Sequence, residues 1–257
     1  MQYYGGERPG VHLPFNFQLI NAPWEARSLA TIIASYEAAL PLGGWPNWVL
    51  GNHDRPRVAS KLGQAQARVA AMLLLTLRGT PTLYYGDELG LSDVAIELSQ
   101  VRDQRELREP GLALGRDPVR TPMPWDESEN AGFTTAKPWL PLNADWPARN
   151  VARMTEQFQS MLTLYRRLLA LRRDCLALSV GDFVLLGLEG EIFAYERRHG
   201  AERLIVALNL AQRSHRLQFP GWARDSRLIL STVENAALVE GGALLLRSNE
   251  GLVLKAR

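Results

Sequence analysis

With 257 residues and 46% hydrophobic content, the chain can form one large domain or two smaller ones around a substantial core. A formal charge of +2, with basic doublets (Arg166-Arg167, Arg172-Arg173, Arg197-Arg198) in place of a basic tract, argues against nucleic acid or an anionic membrane as partner. A single cysteine, Cys175, excludes an internal disulfide and any Cys-based zinc cluster, and the best apolar run, 70–77, is far too short to span a bilayer.

The N-terminal residues lack the charged and apolar regions of a signal peptide, so a soluble cytoplasmic protein is expected. Residues 11–20 read as a strand, and 26–40 as a helix ended by Pro41 and Gly43-Gly44. A short apolar strand, 47–50, leads into Gly51-Asn52-His53-Asp54-Arg55-Pro56-Arg57. Residues 64–77 place Ala65, Val69, Met72, Leu73 and Leu77 at helical spacing, and 82–85 form the next strand. Alternation of strand and helix at this spacing predicts parallel β-α-β units. Residues 91–150 are long, polar and without sustained periodicity, yet their aromatic and proline content predicts an ordered, packed excursion.

An amphipathic helix is expected over 151–173, with Met154, Phe158, Met161, Leu162, Tyr165, Leu168 and Leu169 on its core face. Cys175, just beyond it, is expected to be buried and inert. From 178 onward, short strand patterns at 182–186, 191–198, 203–210, 214–219, 226–231, 243–247 and 252–255 alternate with turn signals. Those signals include Gly187, Gly190, His199-Gly200, Pro220-Gly221 and Gly241-Gly242, and the spacing predicts an all-β sandwich. The expected organisation is α/β over 1–177 followed by a β domain over 178–257.

His53-Asp54 stands where a strand hands over to a loop. A carboxylate beside a histidine there can bind vicinal hydroxyls, orient a base or ligate a metal; equally, Asp54 can cap a turn while His53 satisfies a carbonyl. No phosphate-binding loop, dinucleotide-binding glycine pattern or His-Glu-x-x-His zinc motif is present, so no cofactor and no metal are expected.

Several stretches, in order, match one pattern. Residues 47–60 around Gly51-Asn52-His53-Asp54-Arg55-Pro56-Arg57 come first, then Thr80-Pro81-Thr82-Leu83-Tyr84-Tyr85-Gly86-Asp87-Glu88-Leu89-Gly90. Gly115-Arg116-Asp117, Arg120-Thr121-Pro122-Met123-Pro124-Trp125-Asp126, Asn130-Ala131-Gly132-Phe133 and Pro138-Trp139-Leu140 follow, and Tyr165-Arg166-Arg167-Leu168-Leu169-Ala170-Leu171-Arg172 closes the set. Together they resemble the C-terminal portion of the α-amylase superfamily of glycoside hydrolases, of the α-glucosidase or oligo-1,6-glucosidase type. The resemblance spans almost the whole chain and is weakest after 179.

It implies a TIM (β/α)8 barrel of which about strands six to eight are present, 11–17 being the sixth, followed by the β-sandwich. It further implies that Asp54 is a transition-state stabiliser that grips sugar hydroxyls as the ring flattens, with His53 and Arg57 binding substrate beside it. The family's nucleophilic Asp and acid Glu are not found, so the chain alone is expected to be inactive, with an oligosaccharide substrate and a missing N-terminal half-barrel as its partners. Asp87 and Glu88 are expected to serve loop hydrogen bonds, and Glu25, Glu37, Asp126, Glu127 and His12 to be structural. A non-catalytic scaffold, or a transglycosylating or isomerising enzyme, would carry the same motifs.

Overall fold

The computed structural model describes residues 1–5, 10–112, 114–218, 225–233, 239–240 (backbone only) and 243–256. These divide into two compact units. The first comprises Met1–Leu50, Arg68–Thr82 and Arg167–Arg257, the second Gly51–Ala67 and Leu83–Arg166.

In the first unit, β1 (Phe15–Asn16), β2 (Asn47–Val49) and β3 (Thr80–Thr82) form a parallel sheet in chain order. Phe15 stands opposite Asn47, and Asn47 opposite Thr80. The strand expected over 11–20 is much shorter, because the Asn16 side chain accepts from Gln18 N at 3.0 Å and turns the chain into α1 (Gln18–Asn21). His12 lies exposed ahead of that strand. The strand expected at 82–85 sits upstream, at 80–82, where Thr80 N donates to Pro46 O and Thr82 Oγ1 to Asn47 Oδ1 (both 2.8 Å). Between the strands run α2 (Ala26–Ala39) and α3 (Val58–Thr76), the latter interrupted at Gly63, whose φ of +77° starts a fresh helical run at 64. The residues from Val69 to Leu75 are all buried, so this end of α3 is covered on every side rather than on one face.

The helix expected over 151–173 is two, α5 (Val151–Glu156) and α6 (Met161–Asp174), with a five-residue helix α4 (Gln104–Arg108) preceding them in the chain and α7 (Leu176–Ser179) following. Both starts are capped by side chains: Asn150 Oδ1 accepts from Arg153 N at 2.8 Å, and Ser160 Oγ from Thr163 N at 3.0 Å. Phe158 falls in the break and is 72% exposed, against the expected core position, while Cys175 is buried as expected.

The remaining strands are β4 (Asp182–Glu189), β5 (Ile192–His199), β6 (Glu202–Asn209), β7 (His215–Gln218), β8 (Arg227–Ser231), β9 (Val239–Glu240), β10 (Ala243–Leu246) and β11 (Gly251–Lys255). They make a five-stranded sheet, β4-β5-β6-β11-β8, and a three-stranded one, β7-β10-β9. Ile192, Ile205 and Leu252 from one sheet share a core with Leu217, Leu244 and Leu246 from the other, as a sandwich requires. Phe219, Pro220-Gly221 and Gly241-Gly242 lie outside the described residues. No helix among the described residues is long and apolar enough to cross a membrane.

Two arginines, Arg172 partly buried and Arg197 fully buried, terminate α3. Arg172 Nη1 donates to Leu75 O (3.0 Å) and Leu77 O (2.8 Å), and its Nη2 to Gly79 O. Arg197, fully buried on β5, donates to Thr76 O (2.5 Å), Gly181 O (2.8 Å) and Asp182 O (3.2 Å). Helix C-termini leave carbonyls unbonded and attract cations, so these guanidinia supply both the missing donors and the charge. Burial, with Arg172 nearby, pulls the Arg197 guanidinium down to about 10. Arg197→Met strands three carbonyls and should destabilise the protein by about 2–4 kcal/mol, read as a lower midpoint in urea unfolding.

Candidate active site

The second unit carries His53 and Asp54. Asp54 N bonds Asn52 Oδ1 at 2.9 Å, so the loop closes on itself before the carboxylate is presented. The Asp54 side chain is 46% exposed, and its Oδ1 accepts from Arg116 Nη1 (3.3 Å) and Arg120 Nη2 (3.2 Å), with His53 Nε2 3.2 Å away. Arg120 Nε also donates to His53 O at 3.1 Å, fixing the turn from the opposite side. A half-exposed carboxylate ringed by donors on one oxygen offers its other oxygen to a ligand hydroxyl.

Arg116 and Arg120 are functional candidates to which residue types assign no role. They come from the aperiodic excursion, and only the Gly115-Arg116-Asp117 and Arg120-Thr121 runs signal them. Arg116 is itself fastened to Asp103, whose two oxygens accept Arg116 Nε (2.6 Å), Nη2 (3.0 Å) and N (2.8 Å), together with Arg105 N (3.1 Å). The Arg116 guanidinium hydrogen bonds hold the Asp103 carboxyl well below the usual range. Other carboxylates pin the same excursion through backbone amides: Asp117 Oδ2 accepts from Arg102 N (2.6 Å) and Asp103 N (2.8 Å), and Glu106 from Gly111 N (3.0 Å) and Gly115 N (2.8 Å).

Arg57 stands elsewhere. It is fully buried, its Nη1 on Tyr85 O (2.6 Å) and Nη2 on Val119 O (2.7 Å), with its guanidinium carbon 5.1 Å from the Tyr84 ring centre and 4.8 Å from that of Tyr85. Its seat explains Gly86: with φ +87°, a Cβ there would come within 2.8 Å of Arg57 Nη1. The structure thus brings His53, Asp54, Arg116 and Arg120 into direct contact and places Arg57 beneath the Tyr84-Tyr85 segment.

The remaining acids have their own partners. Glu88 Oε2 accepts from Gly86 N at 2.8 Å, Glu127 pairs with Arg153 at 2.7 Å, and Asp126 accepts from Ser128 N at 2.8 Å. In the first unit, Glu37 pairs with Arg78 at 2.9 Å and Glu25 accepts weakly from Ser28 at 3.5 Å. Among the described residues no group of three or more His, Cys, Asp and Glu could hold a metal ion.

Asp87 differs from these acids. It is buried, its Oδ1 has no hydrogen bond, and burial raises its carboxyl to about 7, Arg57 pulling the other way and Glu88 adding to the rise. A carboxyl raised on folding binds protons more tightly in the native state, so its contribution is full below the unfolded value and is lost as pH climbs through about 7. Asp87→Asn should therefore flatten the fall in melting temperature between pH 5 and pH 8 that the wild-type protein shows, a comparison made by calorimetry across that range.

The comparisons with known proteins agree on kinship. The family described as "Alpha amylase, catalytic domain" matches residues 1–181. Maltase A1 of Drosophila melanogaster is 35% identical over 226 residues, covering 84% of this chain and 39% of that protein. The amino acid transporter heavy chain SLC3A1 of Mus musculus is 34% identical over 270 residues, covering 99% of this chain and 38% of its own length. Among solved structures, the alpha-glucosyl transfer enzyme XgtA superposes with a TM-score of 0.89 at 31% identity, covering 100% of this chain and 48% of that one. The chain thus spans about two fifths of the length of these two curated relatives. With a family match over most of its residues and a TIM-barrel-derived fold carrying a β-sheet domain, the chain belongs to the α-amylase family.

Proposed function

We propose that this chain is the C-terminal segment of a retaining α-glucosidase acting on terminal α-glucosidic bonds of short oligosaccharides. The observation that carries the reading is Asp54: a half-exposed carboxylate held by His53, Arg116 and Arg120 in a chain of the α-amylase family. In this reading β1, β2 and β3 are the sixth to eighth barrel strands, residues 1–177 are the partial barrel, and 178–257 are the C-terminal β-sandwich domain.

Asp54 would accept hydrogen bonds from sugar hydroxyls and tighten its grip as the ring approaches an oxocarbenium-like geometry. His53 would bind the same ring, being 59% exposed beside it. Arg116 and Arg120 would keep Asp54 aimed. Arg57 would serve substrate from below, by fixing the carbonyls of Tyr85 and Val119.

Retention requires a nucleophile and an acid roughly 5–5.5 Å apart. Neither is assigned to a residue of this chain, and we place both on a preceding half-barrel. The chain alone is then inactive: steady turnover of p-nitrophenyl α-glucoside that disappears in Asp54→Ala would overturn this. Binding should survive without turnover. Asp54→Asn should weaken glucose binding about tenfold in titration calorimetry, about 1.4 kcal/mol.

Two other readings have specific support. Likeness over nearly the whole chain to a transporter heavy chain favours a scaffold, for which a stable complex with a second chain and no sugar response would be the mark. Likeness to an α-glucosyl transfer enzyme favours capture of the intermediate by a sugar hydroxyl instead of water.

A further inference from the structure

Two buried polar atoms of the second unit, Asp87 Oδ1 and Arg57 Nε, have no hydrogen bond. Buried polar groups are normally satisfied, so each such atom calls for a physical reason. The two residues are neighbours: a Cβ at Gly86, the residue before Asp87, would fall 2.8 Å from Arg57 Nη1, and the Arg57 charge acts on the Asp87 carboxyl. Arg57 nevertheless directs Nη1 to Tyr85 O (2.6 Å) and Nη2 to Val119 O (2.7 Å), leaving the adjacent acid without a donor on Oδ1.

Both sides of this pair lead to Asp54. Asp87 Oδ2 would lie 3.2 Å from a Cβ at Gly51, the residue that opens the Gly51-Asn52-His53-Asp54 loop. A side chain there would displace the acid, so the loop starts with its backbone laid against the carboxyl. On the other side, Val119 precedes Arg120, which donates to Asp54 Oδ1 at 3.2 Å and to His53 O at 3.1 Å. The 119–121 segment hangs from three side chains: Arg57 and Tyr84 (3.0 Å) on Val119 O, and Tyr85 (2.7 Å) on Thr121 O.

The titratable groups acting on Asp87 come from three places: Arg57 from the loop after β2, Glu88 beside it, and Tyr165 from α6. Burial holds the Tyr165 hydroxyl neutral, and Glu88 is raised by burial as well. Burial likewise raises the Asp87 carboxyl to about 7, so the acid is neutral below that pH and charged above it. A buried carboxylate needs a donor far more than a buried carboxylic acid does, and the nearest cation is Arg57, whose Nε is uncommitted.

We propose that Asp87 is a positioning residue for the Asp54 site. Protonated, it leaves Arg57 on the Tyr85 and Val119 carbonyls; deprotonated, it draws the guanidinium away from Val119 and slackens the segment that carries Arg120. Asp54 is then held less closely at alkaline pH. The consequence for sugar binding rests on the reading of Asp54 given above, whereas the movement of Arg57 does not.

The test follows 15N NMR spectra of the chain from pH 5 to pH 9 in wild type and in Asp87→Asn, whose side-chain amide imitates the neutral acid. The amide nitrogen of Arg120 reports on the Val119 carbonyl bonded to it and is remote from Asp87 in sequence. In wild type it is expected to shift with a midpoint near pH 7, and in Asp87→Asn to keep its low-pH position throughout. No shift in wild type would overturn the proposal. A histidine changes charge over the same range and His53 adjoins Arg120, so a shift retained in Asp87→Asn would belong to His53 and overturn it too. Should Asp87→Asn fail to fold, the exposed His53 is changed instead: the Arg120 shift persists in His53→Gln, and its loss there would overturn the proposal.

Glucose titration calorimetry separates this inference from the reading of Asp54. Wild type is expected to bind about threefold more weakly at pH 8.5 than at pH 6, and Asp87→Asn equally at both. Affinity level with pH in wild type would overturn the positioning role. Absence of glucose binding at either pH counts against Asp54, and the Arg120 shift then judges Asp87 by itself.

Discussion

The guanidinium of Arg116 is the joint on which the candidate site turns. One edge is fastened to a buried carboxylate, Asp103, and the other reaches an exposed one, Asp54. Because Asp103 is saturated by four hydrogen bonds, it has no freedom to release the arginine, and the arginine in turn has little freedom to leave Asp54. Orientation of the exposed acid is thereby set by a group it never touches. This is how an irregular loop can hold a side chain as closely as a strand would.

The same division of labour recurs across both units. Where backbone carbonyls lack partners, arginines supply them: Arg57 to Tyr85 and Val119, Arg172 and Arg197 to the end of α3. Where backbone amides lack partners, carboxylates do: Asp103, Glu106 and Asp117. Buried backbone groups must be bonded, and a charged partner makes the stronger bond. Burying these arginines is tolerable because carbonyl dipoles converge on each guanidinium.

What could be read from the sequence follows from where the information is local. The α2 helix, the later run of α3 and the strands after 182 carry their own periodicity, and they lie close to their expected bounds. Residues 11–20 and 151–173 looked uniform because their apolar pattern continues across positions where a side chain bonds the backbone. Asn16, Asn150 and Ser160 make those bonds, and such residues in the middle of a pattern are the available warning. His53 and Asp54 are legible because a strand end announces them. Arg116 and Arg120, more than sixty residues away, meet Asp54 only through tertiary structure. The burial of Arg57 had no local signal at all, since an arginine after Asp-Arg-Pro in a loop reads as solvent-facing.

The described residues of 91–150 contain one short α-helix and a few tight turns, yet the amides of Arg102, Asp103, Gly111 and Gly115 are bonded to buried acids. Order here is carried in part by side chains, so spectroscopic helix and strand content would count most of this stretch as coil although carboxylates pin it at several amides. The architecture also concentrates vulnerability. A regular element that loses one hydrogen bond keeps its neighbours, whereas neutralising a single acid such as Asp103 would free several segments of the loop together.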